Sequence, residues 1–571
     1  MFVQKNVRRN YQWQKIIMLQ KTVQTKIHMD PIRMRMLKML PARISQIKIQ
    51  AIKMHPVKIR LTGMQRMHMN QTVMHMTAQS PAITKVISIK KCKQLLKLLG
   101  NWCNLYYNVL NQAPGGLYME RIALQKLIDW NNSKRRKPLI VWGARQVGKT
   151  YLVKDIFAET CYTNNYIYVD FKKEDEIRAF CSQTANAEKI IEYISLLRGK
   201  QINEKTLLIF DEIQECPNII SSLKYFCQDF REIPVIATGS MVRIKLQRET
   251  RKRGPKDNNK FLFPVGKINQ ITVYPMTFDE FLMNSNSMLY DAVKKAYETK
   301  RLLNTQIHNL AMEQVYKYML IGGMPEAVEA YIDDGDILEA REILKVLYDN
   351  YLADMELYQA SREAVLRSRT LFQNIYRELN KESKNFSPGL IEEKSKTRDF
   401  ATSIQWLTMA HIINQSFQLK EHITMPLIPD NDSNFRLFLG DIGMFSYQSG
   451  INAASFVSKE RENTLSGIFF ENFAANELIA KGHKLFYWRG KAYSELEFII
   501  ESDNKLYPVD VKKGKGTLNS LEKFANHNKF EFAIKVSSNN YGFNPEQKLL
   551  TIPFYFMPFA ATDLAAGTME I

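Results

Sequence analysis

Cysteine is scarce in this 571-residue chain. The six cysteines, Cys92, Cys103, Cys161, Cys181, Cys216 and Cys227, form no close CxxC pair, and the last 344 residues have none. That argues against a disulfide scaffold and a cysteine zinc site, and it fits a reducing compartment, so a cytoplasmic location is expected. His308, His411, His422, His483 and His527 are isolated in sequence and read as surface or satisfied histidines. No unbroken apolar run is long enough for a signal peptide or a membrane span, so no membrane role is expected. Acidic residues are almost missing from residues 1–118, which hold twenty Lys and Arg against Asp30 alone. This arm contributes +19 of the net +21, leaving about +2 for the other 453 residues.

The arm also holds twelve of the 26 methionines and four of the nine histidines, and its local alternations never settle into strands with turns. Three readings stand: a basic tail for nucleic acid or acidic lipid, a disordered extension, or upstream sequence translated from a start chosen too early. Met119 opens a pattern expected to be the first helix. The global charge is therefore poor evidence for nucleic-acid binding.

What is present is concentrated in Leu139–Thr150. Leu139-Ile-Val-Trp142 is long enough for a short buried strand. Gly143-Ala144-Arg145-Gln146-Val147-Gly148-Lys149-Thr150 then opens a loop, and a helical pattern follows. Strand, glycine loop and helix form the context of a P-loop. Backbone N–H groups and a helix N-terminus cradle phosphates there. Lys149 reaches the outer phosphates of ATP and Thr150 offers its hydroxyl to Mg²⁺. About sixty residues on, Leu207–Phe210 ends in Asp211-Glu212. Asp211 is expected in the Mg²⁺ shell and Glu212 as the base for the attacking water. Val235–Thr238 is another short strand, ending beside Gly239-Ser240, and Ser240 or Thr238 is the candidate to sense the terminal phosphate. Strands alternating with helices predict a parallel sheet covered on both faces.

These residues, with Tyr274-Pro275-Met276-Thr277-Phe278-Asp279-Glu280-Phe281, resemble the bacterial and archaeal AAA-type ATPases that carry a C-terminal DUF4143 domain. The resemblance spans about residues 119–560. It implies ATP binding and leaves oligomeric state and biological process open. One departure is Gly266-Lys267, where the family usually has Gly-Arg; the charge is kept but the planar fork is lost.

The organisation read from the chain is a basic extension at 1–118, a P-loop ATPase domain at 119–285, a helical middle region at 286–460, and an α/β domain at 461–571. In the middle, Gly322-Gly323-Met324-Pro325-Glu326-Ala327 resembles a family segment, and its packing against the nucleotide domain is expected. Thr402–Ile413 is predicted as a helix. The resemblance implies a winged-helix module here, either binding duplex DNA or coupling nucleotide state to the C-terminus.

In the last region Glu497, Asp510 and Lys512 have the spacing of a PD-(D/E)xK nuclease core. Two carboxylates hold a divalent metal in such a core, and a lysine two residues beyond the second shares its strand face. Glu471 is expected to join from the preceding helix, with Mg²⁺ or Mn²⁺ as a second metal. Both acids are swapped in type relative to the family's usual Asp and Glu. A metal-dependent nuclease and an inert nuclease-like fold used for binding both stand. For the whole chain, the main expectation is a Mg²⁺-dependent ATPase that switches its C-terminal domains. The alternative is a nucleotide-gated DNA- or protein-binding module with little turnover.

Overall fold

The computed structural model describes residues 119–239, 263–359, 361–451, 467–490, 494–512 and 519–571. The basic arm, Ser240 and the Arg243–Lys260 segment lie outside the described residues.

Five short strands build the first sheet: β1 (Leu139–Trp142), β2 (Tyr166–Asp170), β3 (Leu207–Asp211), β4 (Val235–Thr238) and β5 (Asn269–Thr272). All pair in parallel, in the order β2-β3-β4-β1-β5. β1, β3 and β4 are buried throughout, as near-continuous apolar runs in a covered parallel sheet should be. One face packs on Leu127, Val153, Ile156 and Phe157, the other on Ile190, Ile219, Leu223 and Phe226. β4 lies between β1 and β3, so the P-loop and the Asp211 strand end at the same edge with one strand between them.

The helix Phe278–Ser285 starts with a capping box in which Thr277 and Glu280 satisfy each other's backbone N–H groups. Helices then follow at Ser287–Glu298, Thr305–Ile321, Pro325–Asp334, Ile337–Tyr358 and Arg362–Leu379. The predicted Thr402–Ile413 helix is shifted: it runs from Thr397 to Met409, and Ile413 already begins β6 (Ile413–Leu419). Trp406 and Leu407 are buried. β6 pairs antiparallel with β7 (Phe435–Leu439).

Beyond residue 466 come the helix Gly467–Ala480, β8 (Leu485–Arg489), β9 (Glu495–Leu496), β10 (Phe498–Ser502), β11 (Lys505–Val511), the helix Asn519–Ala525, and β12 (Ala533–Ser537). Two further strands, β13 (Gly542–Asn544) and β14 (Leu549–Pro553), complete a sheet in the order β10-β11-β12-β14-β13. The Gly467–Ala480 helix carries Ile468, Phe469, Phe470, Phe473 and Leu478. It is buried around most of its circumference, because strands cover it on one side and the middle helices on the other. The extended stretch that follows is broken at Glu497: β9 pairs with β8, and β10 turns to pair with β11. β8 also lies parallel to β6, giving a third sheet in the order β7-β6-β8-β9 that crosses the expected boundary near 460.

Candidate functional site

Backbone conformation shapes the P-loop. Gly143 (φ +147°) comes so close to β5 that a Cβ would lie 2.2 Å from the Val273 carbonyl oxygen, and Gly148 adopts φ +82°. Gln146 also takes a left-handed conformation, which non-glycine residues adopt at some cost. The turn is braced from outside. Arg121 donates to the Val147 carbonyl at 3.0 Å and the Tyr274 carbonyl at 2.8 Å, and pairs with Glu280 at 3.2 Å. Pro325 lies 3.4 Å from where a Gly148 Cβ would stand. The expected packing of the Gly-Gly-x-Pro segment on the nucleotide domain is thus present. It is tightest at Gly323, whose carbonyl accepts from the Met276 N–H at 2.7 Å. A Cβ on Gly323 would lie 2.0 Å from the Met276 oxygen.

The expected polar groups meet at the end of β3. Thr150 Oγ1 donates to Asp211 Oδ2 at 2.8 Å, Tyr168 OH donates to the same oxygen at 2.8 Å, and Thr238 Oγ1 donates to Asp211 Oδ1. The Glu212 N–H also donates to Asp211 Oδ1, at 2.9 Å. Four donors hold one carboxylate at the edge of the loop. Thr238 therefore touches the site, while Ser240 lies outside the described residues. Lys149 is buried and donates to the carbonyls of Gly143 (3.2 Å) and Ala144 (2.7 Å) rather than to an acid. Burial pulls its ammonium down to about 8, against the opposing pull of Glu212 and Asp211.

Glu212 sits in a left-handed conformation (φ +53°), and Gln214 Nε2 donates to its carboxylate. Burial raises its carboxyl above the usual range, while the Gln214 hydrogen bond opposes that rise. A carboxylate made more basic in this way suits proton abstraction.

One neighbour escaped sequence reasoning. Arg145 of the P-loop pairs with Asp354 on the Ile337–Tyr358 helix, and Tyr351 OH donates to the Arg145 carbonyl at 3.1 Å. Arg145 is 40 % exposed at its side chain and Asp354 only 1 %. Tyr351-Leu352-Ala353-Asp354 stands out in sequence only as part of an amphipathic helix; nothing local shows that one turn faces the phosphate loop. Tyr168 is equally silent, as one aromatic on a buried strand.

The C-terminal residues also converge. The β10–β11 register pairs Phe498 with Val509, which brings Glu497 beside Asp510. Lys512 Nζ is 2.9 Å from both Glu497 Oε1 and Asp510 Oδ1, and the Val511 N–H donates to Glu497 Oε2 at 3.1 Å. Burial, then Glu497, pushes the Asp510 carboxyl up to about 7. Glu471 is close by but binds Lys384 of the middle region at 2.6 Å. Ammonium groups lie against these carboxylates, and among the described residues no three His, Cys, Asp or Glu side chains are arranged as metal ligands.

Residues 135–282 match the AAA domain family. Residues 466–555 match DUF4143, and residues 312–455 match a separate domain of unknown function, DUF8612. The chain thus has an AAA-domain-like region followed by a DUF4143 domain, with the middle region matched by a model of its own. No curated protein matches. Among solved structures, the chain is similar to the Aeropyrum pernix ORC1 protein in complex with DNA, at 13 % identity over 61 % of this chain and 97 % of that one, with a TM-score of 0.26. The Thermotoga maritima RuvB Holliday junction branch migration motor gives 12 %, 53 %, 92 % and 0.21. C. elegans PCH-2 gives 13 %, 37 %, 48 % and 0.16. Superpositions this loose carry no argument about function. Among the described residues, no helix is long and apolar enough to cross a membrane.

Proposed function

We propose that this chain is a Mg²⁺-dependent ATPase that uses ATP binding and hydrolysis to switch its C-terminal regions. The observation that carries the reading is the 2.8 Å contact between Thr150 and Asp211, with Lys149 and Glu212 at the same edge of a parallel sheet. The residues fit the cofactor. The N–H groups of Gly143–Thr150 and the following helix N-terminus hold phosphate oxygens. Lys149 leaves its two carbonyl contacts to neutralise the outer phosphates. Thr150 and Asp211 would hold Mg²⁺, which would supply positive charge against the phosphates. Glu212 aligns the water and takes its proton, with Gln214 fixing the carboxylate. Thr238 keeps Asp211 aimed at the metal position.

A second reading, nucleotide-gated binding of a DNA or protein partner with slow turnover, is favoured by the Arg145–Asp354 pair, which ties the phosphate loop to the middle region. The test is nucleotide binding and phosphate release on the full chain. Lys149→Ala is expected to weaken ATP binding, and Glu212→Gln to keep binding while losing turnover. Normal turnover in both variants sinks the ATPase. Slow turnover, with a partner retained in one nucleotide state only, supports the gate.

A further inference from the structure

The strands of a parallel sheet all start at one edge and finish at the other, and the phosphate loop occupies the edge where they finish. The opposite edge is formed by the segments that lead into the strands, residues 133–138, 162–165, 199–206, 230–234 and 264–268. These segments hold eight Lys and Arg against two acids, Glu204 and Glu232, a net +6. The chain beyond residue 118 carries only about +2 altogether, so this edge is a local concentration of positive charge.

The cations follow the order of the sheet. Lys200 and Lys205 lead into β3, Arg231 into β4, the run Lys134-Arg135-Arg136-Lys137 into β1, and Lys267 into β5. Neighbouring strands lie about 4.8 Å apart, so the row is roughly 15 Å long. Among the described residues none of the eight is paired with an acid. Four are held by backbone carbonyls instead. Arg136 donates to the Glu232 carbonyl at 2.7 Å, Arg231 to those of Arg135 and Arg136 at 2.9 Å, Lys137 to that of Gly266 at 2.8 Å, and Lys200 to that of Asn164 at 2.8 Å. Three helices, ending at Asn132, Arg198 and Asp229, also finish at this edge, and the partial negative charge of their C-termini favours cations there. Carbonyls and helix ends explain how the cations are tolerated. Neither removes net charge, and the side chains of Lys134, Arg135 and Lys205 remain exposed to solvent.

The surroundings select the partner. Exposed apolar side chains are few and far apart, Val265 beside β5 and Leu196 with Leu197 beside β3, which is too little to enter a bilayer. The aromatics of these segments, Tyr162 and Phe230, are half-buried and packed on the two cores, so unpaired bases find no stacking platform. A row read by charge alone fits the backbone of a duplex. One strand of DNA presents a phosphate about every 3.4 Å along the axis, so the row spans about four of them.

We propose that this edge is a docking surface for the phosphate backbone of duplex DNA, on the side of the ATPase sheet away from the nucleotide. Contacts to phosphate position a duplex without reading its bases, so binding here is independent of sequence and falls steeply with salt. The surface goes beyond the ATPase reading and does not depend on turnover.

The test is fluorescence anisotropy of a random-sequence DNA duplex with the full chain, without nucleotide, over a series of salt concentrations. Lys134→Gln, Arg135→Gln and Lys205→Gln combined are expected to weaken binding about tenfold or more, and to reduce the slope of log Kd against log salt by about two to three. Lys294→Gln, Lys394→Gln and Lys529→Gln combined remove the same charge from exposed positions elsewhere and are expected to change Kd by less than about twofold. Lys205→Gln alone, expected to lower the slope by about one, serves if the first triple variant does not fold. An unchanged slope in a folded edge variant overturns the proposal, as does an equal loss in the control. Anionic vesicles or duplex RNA held more tightly than DNA through the same three residues also overturn it. With no nucleotide present, failure of the ATPase reading leaves each of these outcomes untouched.

Discussion

The two ends of the chain use the same side chains in opposite arrangements. At the phosphate loop, Lys149 rests on backbone carbonyls, and its partner acid Asp211 is held by hydroxyls and an N–H. Positive and negative groups face the same space without being joined. At the nuclease-like cluster, Lys512 and Lys384 are already joined to carboxylates at 2.6–2.9 Å. The electrostatics follow. Burial lowers Lys149 to about 8 despite the raising pull of Glu212 and Asp211, while burial is overcome at Lys512, where Glu497 and Asp510 raise the ammonium above its ordinary value. A lysine meant for an incoming anion is kept apart from its neighbours' acids. A lysine that completes a charge network is spent on them.

That contrast is sharpest when the two lysines are removed in turn. Lys512→Ala should lower stability by about 3 kcal/mol, since two buried carboxylates lose their shared cation, and should leave ATP affinity unchanged. Lys149→Ala should do the reverse, costing roughly 2–3 kcal/mol of ATP binding, on the order of a hundredfold in Kd, with little change in unfolding. Isothermal calorimetry beside urea unfolding separates the two. Equal losses of affinity in both variants would break the comparison.

A smaller effect is expected at Asp354. Its pair with Arg145 competes with phosphate for the one P-loop cation that already has an acid. Asp354→Ala frees Arg145, whose side chain is exposed enough to be solvated, so ATP binding should tighten by about three- to tenfold, in line with a partly exposed ion pair of about 1 kcal/mol. Unchanged or weaker binding would show that Asp354 aims Arg145 instead of restraining it.

The smallest effect concerns Asp441, which links the regions between the two sites. It accepts from the Gly323 N–H at 2.7 Å and the Met444 N–H at 2.9 Å. Burial nevertheless raises its carboxyl to about 6, against the lowering effect of those bonds. A carboxyl raised on folding adds stability that is full below its unfolded value near 4 and lost as pH rises through about 6. The stability of the native chain relative to Asp441→Asn should therefore improve as pH falls from 7 to 4. Parallel melting curves over that range would remove the assignment.

The phosphate site was legible because its chemistry is local. Gly143–Thr150 are consecutive, and a strand ending in Asp211-Glu212 announces its own direction. The nuclease-like acids were legible for a related reason, since Asp510 and Lys512 lie two apart on one strand. What could not be read was supplied across long loops. Arg121, Tyr168, Asp354 and Lys384 look ordinary where they stand, and each acquires its role from a partner placed 26 to 209 residues away. The broken strand at Glu497 was hidden for the same reason: only the presence of β8 on one side and β11 on the other decides where the chain must turn.

The sheet that joins β6 and β7 to β8 and β9 has a practical consequence. Its strands come from residues 413–439 and 485–496, on opposite sides of the 460 boundary. Dividing the chain there would leave β6 and β8 each with a bare row of N–H and C=O groups, a template for self-association. The fragments that domain-by-domain cloning would make are thus the ones most prone to precipitate, and fragment complementation is the natural way to recover them.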